Sequence, residues 1–405
     1  MIQFEKKFAS LAVRALNIQP GQCVAIRSEP VHYSLIPQIA IEAYRAGARY
    51  VDFLPVQQAM VRARVDHANP EFLSDIPGYY RTVRSEYVRD HWAYLSIKSP
   101  DDPGVLTGAD GKRLGLIAHS ISEAEADFRS ALSLDCCQWL VMVAPTHQWA
   151  KSVLGEVPGA FESFVDLLAS IYRFDMDNPA EFWEEKIDEL ERRAGQLTRK
   201  RIRFLRFIGR GTDLTVELSP DALWRGGGST STDGHRFIAN LPTEEVFTTP
   251  DARGTTGTVR ITRPVLVYDT PVTGAWFRFE GGSVVESGAE TGADALGSFL
   301  NSDGGSRRIG EVALVDAQPP IFQLPYTFSN ILLDENAACH LALGFAYPTG
   351  IRNGPELDER QCEAVGLNRS REHVDFMIGD RDISVSAESW TGDHFEIIRK
   401  GFFVA

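Results

Sequence analysis

Carboxylates and imidazoles recur in the second half of this sequence in settings that are otherwise apolar, and side chains of these two types together ligate metal ions. His373-Val374-Asp375-Phe376-Met377-Ile378 reads as a strand. Period two then puts His373 and Asp375 on one face and Val374, Phe376 and Ile378 on the other. An imidazole and a carboxylate two residues apart on one face can grip a single ion, with the apolar side packed to hold them rigid. Leu333 to Gly344 sets Glu335 and His340 among small apolar residues, where a buried Glu or His needs a partner or a metal. Their spacing suits neither one helix face nor one strand face, so the segment reads as a helix end turning into a strand, with His340 near the junction. Gly310 to Val315 is a strand pattern with one carboxylate, Glu311, and Leu241 to Pro250 carries the adjacent pair Glu244 and Glu245 between prolines. Taken singly, the strand pair reads more readily as a salt-bridged surface pair and His340 as a satisfied core histidine, and each carboxylate reads as a surface or capping acid.

Co-occurrence changes the weighing. Glu245, Glu311, Glu335 and Asp375 sum to −4, and such a cluster does not stay ionised in a dry site unaided. If they converge, two divalent cations balance the charge. One cation leaves about −2 and forces protonation or large pKa shifts. Other chemistries are poorly supported: no HExxH and no GxSxG occurs, so the single-zinc protease helix and the serine-hydrolase elbow are absent. Gly209-Arg210-Gly211 lacks the third glycine of a dinucleotide loop. Gly226-Gly227-Gly228-Ser229-Thr230 lacks the P-loop lysine and reads as a mobile loop.

The elements that must position these residues fall into two textures. The chain has 405 residues, 43% of them apolar and 24% charged, which is globular usage with ample material for a core. In the first half, helical stripes (Phe4 to Leu16, and about Leu35 to Ala46 with Gly47 as cap) alternate with strand candidates at Cys23 to Ile26, Tyr50 to Leu54, Trp92 to Ile97 and Trp139 to Ala144. That alternation predicts an α/β N-terminal domain with a mostly parallel sheet. Asn178-Pro179 opens an amphipathic helix that buries Phe182, Trp183, Ile187, Leu190 and Ala194 and is placed to bridge two domains. After about residue 200, short strand runs separated by Gly and Pro predict an α+β C-terminal catalytic domain. The expected division is 1–198 and 199–405. The net charge of −14 argues against nucleic acid as a partner. Five scattered cysteines without a CxxC pair indicate neither a zinc ribbon nor a disulfide framework. The N-terminus lacks a signal-peptide core, and the longest apolar stretch, Trp139 to Ala144, is far short of a membrane span. The expectation is a soluble protein of a reducing compartment, with no membrane partner.

The motifs LPTEEVFTTP (Leu241 to Pro250), GEVALV (Gly310 to Val315), DENAACHLALG with Tyr347 (Asp334 to Gly344) and HVDFMIG (His373 to Gly379) together resemble the M29 metallo-aminopeptidase family, also called the thermophilic aminopeptidase family, in order and spacing. Gly21 to Ile26, Glu42 to Val51 and Ala144 to Ala150 are similar more loosely. The resemblance implies a cytoplasmic exopeptidase, usually a homodimer, that removes N-terminal residues from peptides with two divalent metal ions (zinc, cobalt, manganese or magnesium). Carried over residue by residue, it implies Glu245, Glu311, His340, His373 and Asp375 as metal ligands, with Glu311 as the bridge. Glu335 matches a ligand or general base, and Tyr347 a tyrosine implicated in catalysis. Family spacing favours Glu245 over Glu244. The chain departs from the family pattern at Asp380 to Trp390 and Glu290 to Asn301, which puts substrate preference in question more than chemistry. Two alternatives stand beside this reading. One is a mononuclear non-haem Fe(II) oxygenase using His340, His373 and Asp375. The other is a non-catalytic peptide-binding protein on the same scaffold.

Overall fold

Four parallel strands form the first sheet: Cys23–Ser28 (β1), Tyr50–Pro55 (β2), Ala93–Ile97 (β3) and Trp139–Met142 (β4), in the order β2-β1-β3-β4. The computed structural model describes residues 1–99, 101–268 and 270–404. Val24, Ala25 and Ile26 are all fully buried, as a strand covered by helices on both faces requires. Tyr87 and Phe128 pack with Ala25 and Tyr94, while the helix Ile2–Leu16 (α1) buries Phe8, Leu11 and Ala12. The helix Leu35–Arg45 (α2) ends where the sequence places its cap: Gly47 adopts φ +100, and Gly47 N and Ala48 N donate to Tyr44 O and Ala43 O, the C-terminal motif that glycine favours.

The chain divides into two compact units, Met1–Glu184 with Gly228–Pro242, and Glu185–Gly227 with Thr243–Ala405. The 198/199 boundary read from the sequence lies at the C-terminal end of the helix Pro179–Arg199 (α3), whereas the division in packing falls near its start. Asn178 Oδ1 accepts from Glu181 N at that start. Trp183, Ile187, Leu190 and Ala194 are buried as the stripe predicts. Phe182 is only half-buried, under the Arg173 guanidinium. The glycine run is a packed crossing instead of a free loop. A Cβ on Gly226 would meet the Leu190 backbone at 2.5 Å, and Gly228–Thr230 pairs with Arg236–Ile238 in a hairpin.

The second unit holds an eight-stranded antiparallel sheet, in which Ile202–Gly209 lies between Thr212–Glu217 and Ser384–Ser389. It also holds a five-stranded sheet: Trp224–Arg225 (β5), Glu245–Thr248 (β6), Ile309–Val315 (β7), His340–Gly344 (β8) and His373–Met377 (β9), in the order β9-β8-β7-β6-β5 and antiparallel throughout. One core joins them: Leu205, Phe207, Val216 and Phe277 from the large sheet meet Val246, Val312, Leu314, Leu341, Leu343 and Phe376 from the small one. Antiparallel sheets with short helices make this the α+β half that the sequence predicts. No helix among the described residues is long and apolar enough to cross a membrane.

Candidate metal centre

Register decides what the other face of the five-stranded sheet carries. Glu245 pairs with Val315, Phe247 with Ala313, Ala313 with His340, Glu311 with Ala342, Ala342 with Asp375 and Gly344 with His373. Directly paired residues share a face and alternate residues return to it. Glu245, Glu311, His340, His373 and Asp375 therefore project from one face of four adjacent strands, and the core residues Val246, Val312, Leu314, Leu341, Leu343 and Phe376 project from the opposite face. The residues between the polar groups are small, Ala313, Ala342 and Gly344. A register shift between Ile309 and Glu311 puts Ile309 into the core, although it lies only two residues from Glu311. The residue at this bulge is Gly310, where a Cβ would meet Phe345 O at 2.3 Å.

Each imidazole is fixed through Nδ1. His340 Nδ1 lies 3.1 Å from Ala338 O and His373 Nδ1 lies 2.8 Å from Phe345 O. Nδ1 is therefore the donor on each ring, and Nε2 turns to the carboxylates. His340 Nε2 is 3.1 Å from Glu245 Oε2 and 3.8 Å from Glu311 Oε1. His373 Nε2 is 3.9 Å from Glu311 Oε2 and 3.5 Å from Asp375 Oδ1. Glu311 thus offers one oxygen to each half of the cluster. Glu245, Glu311 and His340 each bring a ligand atom within 4.8 Å of the others.

Glu335 and Tyr347 complete the group. Glu335 follows the helical turn Ile331–Asp334 and sits in a 3₁₀ turn, Glu335–Ala337, that runs into β8. The helix-to-strand junction read from the spacing is present, and His340 is the first residue of the strand. Tyr347 lies past the end of β8, its ring edge-on to His373 at 5.2 Å between centroids, and its carbonyl accepts from the Thr249 hydroxyl at 2.8 Å. All seven residues singled out in the sequence converge.

The electrostatics show a site that demands positive charge. Burial pushes Glu335 well above the usual carboxylate range, and the charges of Glu245 and Asp375 add to it. Glu311 is raised by burial and by Glu245, against the opposing pull of His340 and His373. Burial alone would lower both imidazoles. Instead Glu245 and Glu311 hold His340 well above its ordinary value, and Asp375 with Glu311 holds His373 at about 9. Asp375 is lowered despite its burial, by His373 first and then His340. In the metal-free protein, tighter proton binding at the two histidines and at Glu311 and Glu335 offsets the crowded carboxylate charge. Glu245 Oε2 is buried and accepts no hydrogen bond. Its contact with His340 Nε2 has the distance of an ion pair but not the direction of a hydrogen bond. An acceptor oriented this way, among imidazole nitrogens and further carboxylates, suits a divalent cation.

Two supporting residues have no signature in the sequence. Lys186 of α3 pairs with Glu244 at 3.1 Å, which turns that carboxylate away and leaves Glu245 for the cluster. Asn336 is fully buried. Its Oδ1 accepts from Glu244 N at 2.6 Å and its Nδ2 donates to Leu332 O at 2.8 Å. It thereby ties the start of β6 to the turn that carries Glu335. Both residues act on the site only through folded neighbours, which spacing along the chain does not reveal.

Residues 3–403 match the model of the family described as thermophilic metalloprotease (M29). The chain is 38% identical over 398 residues to aminopeptidase 2 of Geobacillus stearothermophilus, covering 98% of this chain and 96% of that protein. It is 34% identical over 401 residues to aminopeptidase T of Thermus aquaticus, covering 98% of each. Its fold superposes on a solved structure, wild-type AmpT from Thermus thermophilus, with a TM-score of 0.93 and 32% identity over 99% of both chains. The chain belongs to the thermophilic metalloprotease family M29.

Proposed function

We propose that the protein is an aminopeptidase that removes N-terminal residues from peptides with water activated between two divalent cations. The observation that carries this reading is the set of five ligand-type side chains on one sheet face, with both imidazoles fixed at Nδ1 by backbone carbonyls. Glu245, Glu311, His340, His373 and Asp375 would hold the ions, with Glu311 offering one oxygen to each half of the cluster. Zinc, cobalt, manganese and magnesium all suit carboxylate-rich sites with two histidines. Bound there, the ions would lower the pKa of a shared water, polarise the scissile carbonyl and anchor the substrate's free α-amine.

The chain's own groups do the rest. Glu335, whose affinity for a proton is raised by burial and by Glu245 and Asp375, takes the proton from the attacking water and passes it to the leaving amine. Burial, and then Glu311 and Asp375, keep the Tyr347 phenol protonated. It donates to the tetrahedral oxyanion, a role worth about 3–4 kcal/mol where one such donor has been removed. The oxygenase alternative uses His340, His373 and Asp375 alone and leaves Glu245 and Glu311 idle, although both lie against His340. Cytoplasmic location and assembly as a homodimer belong to the same proposal and follow from the family resemblance.

The test is elemental analysis paired with release of leucine from leucine amide. About two ions per chain, with hydrolysis that chelation abolishes and added metal restores, is the expected result. A single iron per chain with no amide hydrolysis overturns it.

A further inference from the structure

The first unit carries a cleft of its own. The helices His147–Leu154 and Ala160–Ile171, with the turn between them, wall a space of about 370 Å³, a size that suits a small molecule. The pair is held firmly from within. Trp149 and Phe164 meet edge-on at 4.8 Å between centroids, both fully buried. The Thr146 hydroxyl caps the first helix by accepting from Trp149 N at 3.2 Å, and Gly155, at φ +84, ends it. On the cleft side the His147 ring stacks on Phe161 at 3.7 Å. Lys151 stands one turn beyond His147 on the same helix face. Glu156 and Val157 come from the turn, and Glu162 from the start of the second helix. Lys151, Glu156 and Glu162 are exposed. Among the described residues, none of the three makes a side-chain hydrogen bond or ion pair, although all line one cleft. Both signs of charge are thus presented unpaired beside an aromatic surface.

We propose that this cleft binds a free α-amino acid with an aromatic or bulky apolar side chain. Lys151 takes the carboxylate, Glu156 and Glu162 take the ammonium, and the side chain lies against the His147–Phe161 stack and Val157. The mixed charge selects this class. A simple anion drawn to Lys151 also meets two carboxylates, and a metal cation drawn to the carboxylates also meets the ammonium. A zwitterion pairs with all three, and its apolar part covers the ring surface. No residue of the cleft belongs to the ligand cluster, and both helices lie in the first unit. The role of the site rests on the aminopeptidase reading, because each turnover of such an enzyme releases one zwitterion of this kind. The binding itself does not depend on that reading.

The experiment is calorimetric titration of the full chain with phenylalanine, first metal-loaded and then after chelation. Saturable binding that survives chelation is expected. Lys151→Gln and the double variant Glu156→Gln/Glu162→Gln are each expected to weaken it about tenfold. These side chains are exposed, so the variants keep the fold. Three further probes on the chelated chain test the chemistry of recognition. Phenylalaninamide lacks the carboxylate, 3-phenylpropionate lacks the ammonium and alanine lacks the ring, and each is expected to bind about tenfold more weakly than phenylalanine. Absence of saturable binding overturns the site, as does unchanged affinity in the variants or equal binding of 3-phenylpropionate. Binding that chelation abolishes also overturns it and assigns the amino acid to the metal centre. The leucine amide assay decides the aminopeptidase reading separately. If hydrolysis is absent while these titrations hold, the cleft stands and its supply by turnover falls.

Discussion

His340 and His373 keep their protons in the metal-free protein because the neighbouring carboxylates outweigh the cost of burying a charge. That has a consequence for stability against pH. A histidine whose folded pKa is raised contributes stability that is full below its unfolded value and lost as pH rises through the folded one. For His373 the window runs from 6.5 to about 9. The raised carboxylates Glu311 and Glu335 act in the same direction from 4.5 upward, because the folded state holds their protons more tightly than the unfolded state does. Asp375 runs the other way, but only below its ordinary 3.8. The metal-free protein should therefore lose melting temperature steadily between about pH 6.5 and pH 9, and a saturating divalent cation should flatten that slope by displacing the protons. Melting curves with and without metal across this range check it. Equal slopes would mean that the cluster does not exchange protons for metal.

At the scale of elements, Asn336 shows how the site is braced. Its amide joins the start of β6 to the turn bearing Glu335, with both bonds inside the protein. Asn336→Ala leaves a buried N–H and a buried carbonyl short of a partner, which should cost about 2 kcal/mol in urea unfolding. It should also weaken metal binding about tenfold, as loss of a supporting group around a metal site commonly does. Unchanged metal affinity at reduced stability would make the brace structural only. The strands themselves were legible from period two: His373 and Asp375 share a face as predicted, and the five-residue spacing of Glu335 and His340 is indeed a helix end entering a strand. What local pattern could not show was convergence, because the neighbours of β7 come from β6 and β8, far along the chain in both directions. Nor could it show the bulge at Gly310, since plain alternation would put Ile309 on the side of Glu311. The choice of Glu245 over Glu244 rested on family spacing, and its physical cause, Lys186 on a distant helix, emerges only in the folded protein.

Across the whole molecule the two units differ in what holds them. The first is a parallel sheet wrapped by helices, with buried side chains on both faces. The second places a cluster of charged side chains on one face of its five-stranded sheet and draws its core mainly from the opposite face. Chelation should therefore raise backbone hydrogen exchange in β6 to β9 and leave β1 to β4 nearly unchanged, a pattern that mass spectrometry of labelled peptides resolves. Uniform loosening of both halves would show that the metal stabilises more than its own sheet. The alternation of side chains across β6 to β9 also sets what the gene can tolerate. Any substitution alters one position, but deletion of a single codon within β7 or β8 reverses the parity of everything after it in that strand, turning leucines toward the ligand-bearing face and alanines toward the core. Core and ligand-bearing face are in this sense one message read at two offsets. Chimeras between relatives should then survive exchange of whole strands and fail at crossovers that change strand length by an odd number of residues. The glycine at position 310 is a one-residue insertion already fixed in the fold, and it is what allows a carboxylate and an isoleucine two places apart to serve opposite sides.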